Sequence, residues 1–549
     1  MTDPATSAST PPAETPPRHR LAWAVSIFLL LGIAATLTCV ILYRHYRPNA
    51  DTLLRNRLVA SLSSRFNSPV ELDSLHLDTS HGLHVEGHGL RILYLAGPTK
   101  PDTNTVKPAP MLQVTSFEFD TDFADLFKPT MRIVTVFVHG MQIDIPPHPR
   151  GTHGTMPDNP HRTGQPLLGI TVDKIVLTDT KVVLETNTPG KLPLTFDIAN
   201  LTLTDVGQNK PFNYDATLTN PKPVGQIRST GHFGPWQKDN PRDTPLDGNY
   251  WFLHADLSSI KGISGDLSSS GNFSGKLANI AVAGSTDIPN FRLDLSDHPV
   301  QLHTDFSAQV NGLTGDTTLN RVDVRVLHSH LVANGSIFRV GTPATGITGH
   351  DTELTVSMDH GRIEDMLLLA VKTAPPVLRG AMVTRLRLSL PPGKQSVSDK
   401  AHLDGSFTIT GATFSNPSFQ ETVDKLSERA QGHPKAANPQ QAQPVTSTLS
   451  GRFTQADAIL DVADLQMSLP GATGQFQGRY SLDGQAFNFH GTIRTEATAS
   501  QMTTGWKSTL LRPFDGLLKR NGAGLELPIT VSGTKSSPKF GIDTKRLFE

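Results

Sequence analysis

The chain has 549 residues, with 49 Lys and Arg against 50 Asp and Glu, a formal net charge of −1 and a hydrophobic fraction of 37%. That length allows several domains and that composition a sizeable core, while the even charge gives no sign of the basic face that nucleic-acid binding usually needs. A single cysteine, Cys39, excludes an intramolecular disulfide and a multi-cysteine metal site.

Residues 1–20, rich in Pro, Thr and Ala, read as a disordered tail. Leu21 to Tyr43 then runs without a charge, long enough to supply the about 20 helical residues that cross a ~30 Å bilayer core. Trp23 and Tyr43 stand near its ends, where amphipathic rings prefer the interface. A cleaved signal peptide would have a shorter apolar region with small residues behind it. Here the segment ends Ile-Leu-Tyr-Arg-His-Tyr-Arg, so the expectation is an uncleaved single-pass anchor. Arg18 and Arg20 precede the anchor, and Arg44, Arg47, Arg55 and Arg57 follow it. A count of positive charges puts the body in the cytoplasm, but long domains translocate regardless of such charges, so the flanks leave topology open.

Asn49 to Phe66 reads as an amphipathic helix, with Leu54, Leu58, Leu62 and Phe66 recurring every four residues. Its apolar stripe suits packing on the body; its basic flank suits a membrane surface. From Val70 the period becomes two. Leu192, Leu194, Phe196 and Ile198 alternate with polar or small residues, as do Val322, Val324 and Val326, and Leu386, Leu388 and Leu390. Phe487 and Phe489 flank Asn488 in the same way. Alternation gives each strand one apolar and one polar face. Turn signals between closely spaced strands imply mostly antiparallel pairing.

Gly361 to Thr373 is a candidate helix, and so is Ser418 to Gln431, which opens with the capping box Ser418-Phe-Gln-Glu421. A third spans Gln501 to Lys519, where Pro513 should kink or split it. A Gly-x-aromatic motif recurs at expected strand starts: Gly231-His-Phe233, Gly271-Asn-Phe273, Gly405-Ser-Phe407, Gly451-Arg-Phe453 and Gly478-Arg-Tyr480. Its irregular spacing suggests one β-unit used many times rather than a strict repeat. Gly97 to Pro110, Pro146 to Pro166 and Gln431 to Pro444 read as loops.

The fold expected is mainly β: a single N-terminal transmembrane helix, then an elongated, mostly antiparallel twisted β-sheet or groove with a few short helices. The expected divisions are the tail 1–20, the anchor 21–43, a membrane-proximal helix and β region 44–150, a central β-rich region 151–430, a linker 431–446 and a C-terminal β region with an amphipathic helix 447–549. A long sheet must cover its apolar face, and these helices are too few to do so. The sheet either folds on itself as sandwiches or curls into a trough whose lining suits an acyl chain. Periodicity does not choose between them.

The chain has no HExxH, GxSxG or GxxxxGK[ST] motif, which removes the usual sequence support for zincin, α/β-hydrolase and P-loop chemistry. His76, His81, His84 and His88 cluster in sequence. On a strand, however, His81 and His84 point to opposite faces, and His84 and His88 sit about 13 Å apart, too far to share one ion. They read as solvated surface histidines. No catalytic residue, cofactor or metal ligand is assigned, and the chain reads as non-enzymatic.

The order of elements resembles the AsmA-like family of bacterial envelope proteins. The anchor is followed by Leu53-Leu-Arg-Asn-Arg-Leu-Val-Ala-Ser-Leu62, then Leu75-His-Leu77 and Gly89-Leu-Arg-Ile92. Next come Val114-Thr-Ser-Phe-Glu-Phe-Asp-Thr-Asp-Phe-Ala-Asp-Leu-Phe127 and Met131-Arg-Ile-Val-Thr-Val-Phe-Val-His-Gly140. The segment from Ala255 to Gly275 and the ending Leu527 to Phe540 complete the match, which spans nearly the whole chain after Arg20. The resemblance implies an inner-membrane anchor, a periplasmic β-rich body, phospholipid transfer along a β-groove and a role in outer-membrane biogenesis. It carries no catalytic residues. Candidate lipid-facing residues are Leu192, Leu194, Phe196, Ile198, Val322, Val324, Val326, Leu386, Leu388 and Leu390. The expected partners are phospholipid, the inner membrane through Leu21 to Tyr43, and envelope proteins. The competing functions are an assembly factor that binds envelope proteins through strand edges, and an envelope hydrolase.

Overall fold

The computed structural model describes residues 51–52, 54–56, 58–63, 69–78, 83–94, 109–122, 130–145, 169–184, 193–206, 210–235, 237, 240–341, 348–372, 374–434, 444–482, 486–515, 524–534 and 537–542. The expected anchor Leu21 to Tyr43 lies outside the described residues, as do positions 95–108 and 146–168 within the expected loops. Among the described residues, no helix is long and apolar enough to cross a membrane.

Strands make up 68% of the described residues, in one large curled sheet with few short helices. The first strands are β1 (Val70–Glu71), β2 (Ser74–Asp78), β3 (Leu83–Tyr94), β4 (Ala109–Thr121), β5 (Thr130–Ile145) and β6 (Gly169–Leu184). There follow β7 (Leu194–Val206), β8 (Phe212–Pro221), β9 (Val224–Phe233), β10 (Pro245–Asp256), β11 (Ile263–Ser264), β12 (Asp266–Lys276), β13 (Asn279–Leu293) and β14 (Val300–Val310). Then come β15 (Thr317–Val326), β16 (Ser329–Gly341), β17 (Thr348–Arg362), β18 (Leu378–Leu390), β19 (His402–Phe414) and β20 (Ser447–Ala456). Last are β21 (Ile459–Leu469), β22 (Ala472–Ser481), β23 (Ala486–Thr495), β24 (Leu525–Thr534) and β25 (Ser537–Ile542).

The topology is nearly a pure meander. β1 and β2 both pair with β3, and pairing then follows chain order to β25, except that β10 pairs directly with β12 while β11 pairs with the end of β13. All pairs are antiparallel but one: β5 and β6 run parallel from Thr130↔Gly169 to Ile145↔Leu184. The ladder is therefore continuous across both divisions expected from the sequence, at β5–β6 and at β19–β20.

The curl has a local cause. From β9–β10 to β21–β22, every ladder pair except β12–β13 and the two-residue β11–β13 pair carries a register shift. Such a bulge adds a residue to one strand, bends it and increases its twist. Repeated along the ladder, the bends roll the sheet.

The roll brings opposite rims together. One rim carries the start of β7, the β8–β9 turn and the ends of β10 and β13. The other carries the end of β16, the start of β17 and the segment after β18. Arg339 Nη2 at the end of β16 donates to the Pro193 carbonyl at 3.0 Å. The Val397 amide, after β18, donates to the Lys261 carbonyl, after β10, at 3.0 Å. The Ser398 hydroxyl reaches the Asp294 carboxylate, after β13.

Helices cover parts of the sheet. Helix α1, within residues 51–63, packs Leu54, Leu58 and Val59 against a cluster that includes Leu72, Leu83, Val85, Phe117 and Leu177. Arg55 on this helix donates to the Leu72 carbonyl at 2.9 Å. The stripe expected to face either body or membrane thus faces the body.

Helix α2 (Ile363–Ala370) is shorter than the span expected, because Gly361 and Arg362 still belong to β17. Its Ile363 and Met366 pack against Met358, Met382 and Ile409. Its buried Asp365 accepts from the His328 amide at 3.0 Å and the Ser329 hydroxyl at 2.8 Å, tying the helix to the β15–β16 turn. A short α3 (Val397–Lys400) follows β18.

Helix α4 (Pro417–Ala430) corrects the capping expectation. Its cap is Asn416, whose side chain accepts from the Ser418 and Phe419 amides at 3.0 and 3.1 Å, with Pro417 in the first turn. Proline is preorganised at that position and needs no amide donor. Ser418 therefore lies inside the helix, and Glu421 pairs with Lys425 instead of closing a capping box. Within the described part of the third expected helix stand α5 (Trp506–Leu511) and a 3₁₀ turn Arg512–Phe514, with Gln501 in a turn before them; 516–519 lie outside the described residues. Pro513 accounts for the change of helix type.

Candidate functional site

Side chains on the concave side of a curled sheet crowd one another, and those on the convex side splay apart. In β19 residues 403, 405 and 407 are half-buried while 402, 404, 406 and 408 are exposed, and the same contrast runs through β9 and β22. The half-buried face is the inner one.

The expected lipid-facing residues fall on this face together. A chain of directly opposed partners links Ile198 to Leu218, Ile227, Phe252, Ser269, Thr286, Thr304, Val324 and Leu331. A parallel chain links Val322 to Ala333, Val356 and Leu386. Opposed residues project to the same side, so Phe196, Val326, Leu388 and Leu390 share the face through the two-residue period. Leu192 and the Leu194 side chain lie outside what the structure describes. Phe196, Ile198, Val322, Val324, Leu386, Leu388 and Leu390 are half-buried; Val326 is fully buried, at 1% exposure.

The lining between these aliphatic patches is not the expected aliphatic stripe. It holds glycine, hydroxyls and aromatic rings. Tyr214 and Tyr250 hydroxyls lie 3.1 and 3.2 Å from those of Ser229 and Ser269. Ser229 and Ser269 in turn donate to the carbonyls of Asn249 and Ser285 at 3.0 and 2.9 Å. The hydroxyls are thus satisfied by the sheet itself, leaving the rings as the apolar surface. Burial raises the pKa of both phenols, which keeps them neutral donors.

The Gly-x-aromatic motif belongs to this lining and is not a strand-start signal. Gly271 and Gly451 lie within β12 and β20, and Gly231 and Gly478 lie in the second halves of β9 and β22. Only Gly405 stands near the start of its strand. Each motif glycine is directly opposite an aromatic residue: Gly231 faces Tyr214, Gly271 faces Tyr250, Gly405 faces Phe453, Gly451 faces Phe407 and Gly478 faces Phe489. A Cβ on Gly271 would come 2.8 Å from the Tyr250 ring, and one on Gly478 2.7 Å from the Phe489 ring. The glycine lets the neighbouring ring lie down across the strand, a known device for shielding glycine in sheets.

The outer face is polar and cross-linked by ion pairs. Arg228 reaches Asp215 at 2.8 Å, Arg321 reaches Asp323 at 2.6 Å and Arg479 reaches Asp461 at 2.8 Å. Histidines join in: His232 Nδ1 lies 2.9 Å from Asp247 and His303 Nδ1 2.6 Å from Asp287. The histidines once considered as ligands take separate carboxylates, His84 with Asp120 at 2.8 Å and His88 with Glu86 at 3.1 Å, while His81 lies outside the described residues. No group of three or more candidate metal ligands occurs among the described residues.

The residues that sequence patterns missed are Tyr214, Tyr250 and their serine partners, together with a basic group at the rims: Lys222, Arg339, His350 and Lys400. The motif pointed toward the tyrosines without revealing which strand they sat on. Compared with known proteins, the chain matches no protein-family model, no curated protein and no solved structure.

Proposed function

We propose that this is a membrane-anchored envelope protein that binds phospholipid and passes it along the inner face of the rolled sheet. Leu21 to Tyr43 holds one end at the inner membrane, the body lies in the periplasm, and the activity supports outer-membrane biogenesis. The observation that carries this reading is the inner face itself. It is continuous in register from Ile198 to Val324, it bears aliphatic and aromatic side chains, and most of them are only half-buried. A packed core would bury them. An acyl chain laid on this face gains about 0.8 kcal/mol per buried CH₂, which favours its transfer out of water without a covalent step.

The test places charge in the lining. Full-length protein carrying Val324→Asp and Leu388→Asp should co-purify with about tenfold less phospholipid than the unsubstituted protein, equivalent to about 1.4 kcal/mol. Circular dichroism should retain the β signal. Equal phospholipid content in the folded double variant would overturn the reading. β25 pairs on one side only among the described residues, which suits strand addition by a protein partner. Recovery of a stoichiometric protein partner without lipid would favour that second reading.

A further inference from the structure

The rims meet where positive charge gathers. Arg339, at the end of β16, and His350, at the start of β17, are directly opposed partners in the ladder. An imidazolium there would face the guanidinium directly, so the position favours the neutral imidazole. Lys222 lies in the β8–β9 turn of the other rim, and Lys400 closes α3, whose first amide bonds across the rims to Lys261. The positive charges of Arg339, Lys400 and Lys222 all reach His350, and with burial, the larger effect, they push its pKa down. Burial and then Lys222 push the Lys400 pKa down as well. Burial pushes the Arg339 pKa down, and Asp316, which accepts from the Arg339 amide at 3.1 Å, opposes that in part. Positive charge from Lys222, Arg339 and Lys400 thus gathers where the two rims touch.

We propose that this seam is a binding site for the phosphate group of an anionic lipid. Lys222 and Lys400 act as point charges from opposite rims, and the Arg339 guanidinium, whose Nη2 is held on the Pro193 carbonyl, adds positive charge beside them. A headgroup held here stands at the mouth of the roll, with its acyl chains directed to the inner face that carries Val322, Val324 and Leu388. The site rests on the lipid-binding reading for its chains but not for its phosphate.

Binding of four probes to the full-length protein separates the two. The probes are dihexanoylphosphatidylglycerol, glycerol phosphate, inorganic phosphate and the uncharged dihexanoylglycerol. Lys222→Glu with Lys400→Glu alters exposed or half-buried side chains that make no rim-to-rim hydrogen bond. This variant should bind the anionic lipid about tenfold more weakly and dihexanoylglycerol unchanged. Lys222→Arg with Lys400→Arg should restore anionic binding. Unchanged binding of dihexanoylphosphatidylglycerol by the Glu variant would overturn the site. Binding of glycerol phosphate and inorganic phosphate, lost in the Glu variant, without binding of either lipid, would keep the phosphate site and overturn the lipid reading. Binding of both lipids, unaffected by either pair of substitutions, would do the reverse.

Discussion

His303 on β14 lies between two carboxylates, with Nδ1 2.6 Å from Asp287 on β13 and Nε2 3.4 Å from Asp305 on its own strand. The hydrogen bond to Asp287 is the main reason that its pKa is raised above 6.5. The native state therefore binds this proton more tightly than the unfolded chain does. The resulting stabilisation is fully present below pH 6.5 and is lost as pH rises through the higher native value. An NMR titration of the imidazole should give a midpoint above 6.5, and Asp287→Asn should bring it down; a midpoint at or below 6.5 in the native protein contradicts the pairing. Surface histidines such as His84 and His88 were legible because the two-residue period set their faces. Their partners were not, because Asp287 and His303 become neighbours only through the register of β13 and β14. The Gly-aromatic pairs follow the same logic. The motif is local, but Tyr250 over Gly271 is a cross-strand fact.

The elements divide by how local their determinants are. Strand faces at Phe196 to Ile198, Val322 to Val326 and Leu386 to Leu390 followed from alternation, since side-chain direction on a strand depends on the nearest residues alone. Bulges broke the reading elsewhere. In β15 both Asn320 and Arg321 are exposed between half-buried Leu319 and Val322, because one strand carries an extra residue there. No composition signal marks that insertion. Helix α4 was legible in extent, but its start turned on which of two capping arrangements wins. Asn416 caps it, and proline at the next position favours that choice. Asn416→Ala should lower stability by about 1 kcal/mol. Glu421→Gln, which loses an exposed i,i+4 pair with Lys425, should cost only about 0.3 kcal/mol. Chemical denaturation followed by circular dichroism measures both, and a larger loss for Glu421→Gln would restore the capping box.

At the scale of the whole molecule, the chain order of the strands is nearly the spatial order, so most pairing is between neighbours in sequence. The departure is the parallel step from β5 to β6. The roll was not legible, because it sums many small bends and is fixed by contacts between residues far apart, such as Arg339 and Pro193. It gives the half-buried face its meaning. Three helix-covered clusters close parts of the inner surface, and much of the face between β7 and β18 is left lined with half-buried side chains under rims that touch. The ladder from β2 to β25, at ~4.8 Å per strand step, gives a path of about 100 Å along the curl.

The central claim is that phospholipid occupies this inner face, and site-specific photo-crosslinking in cells tests it most directly. Crosslinkers replacing Phe196, Val324 or Leu388 should form phospholipid adducts, and crosslinkers replacing the outer-face neighbours Arg325 or Arg387 should not. Absence of lipid adducts at all three inner positions, or equal labelling of both faces, would contradict the account.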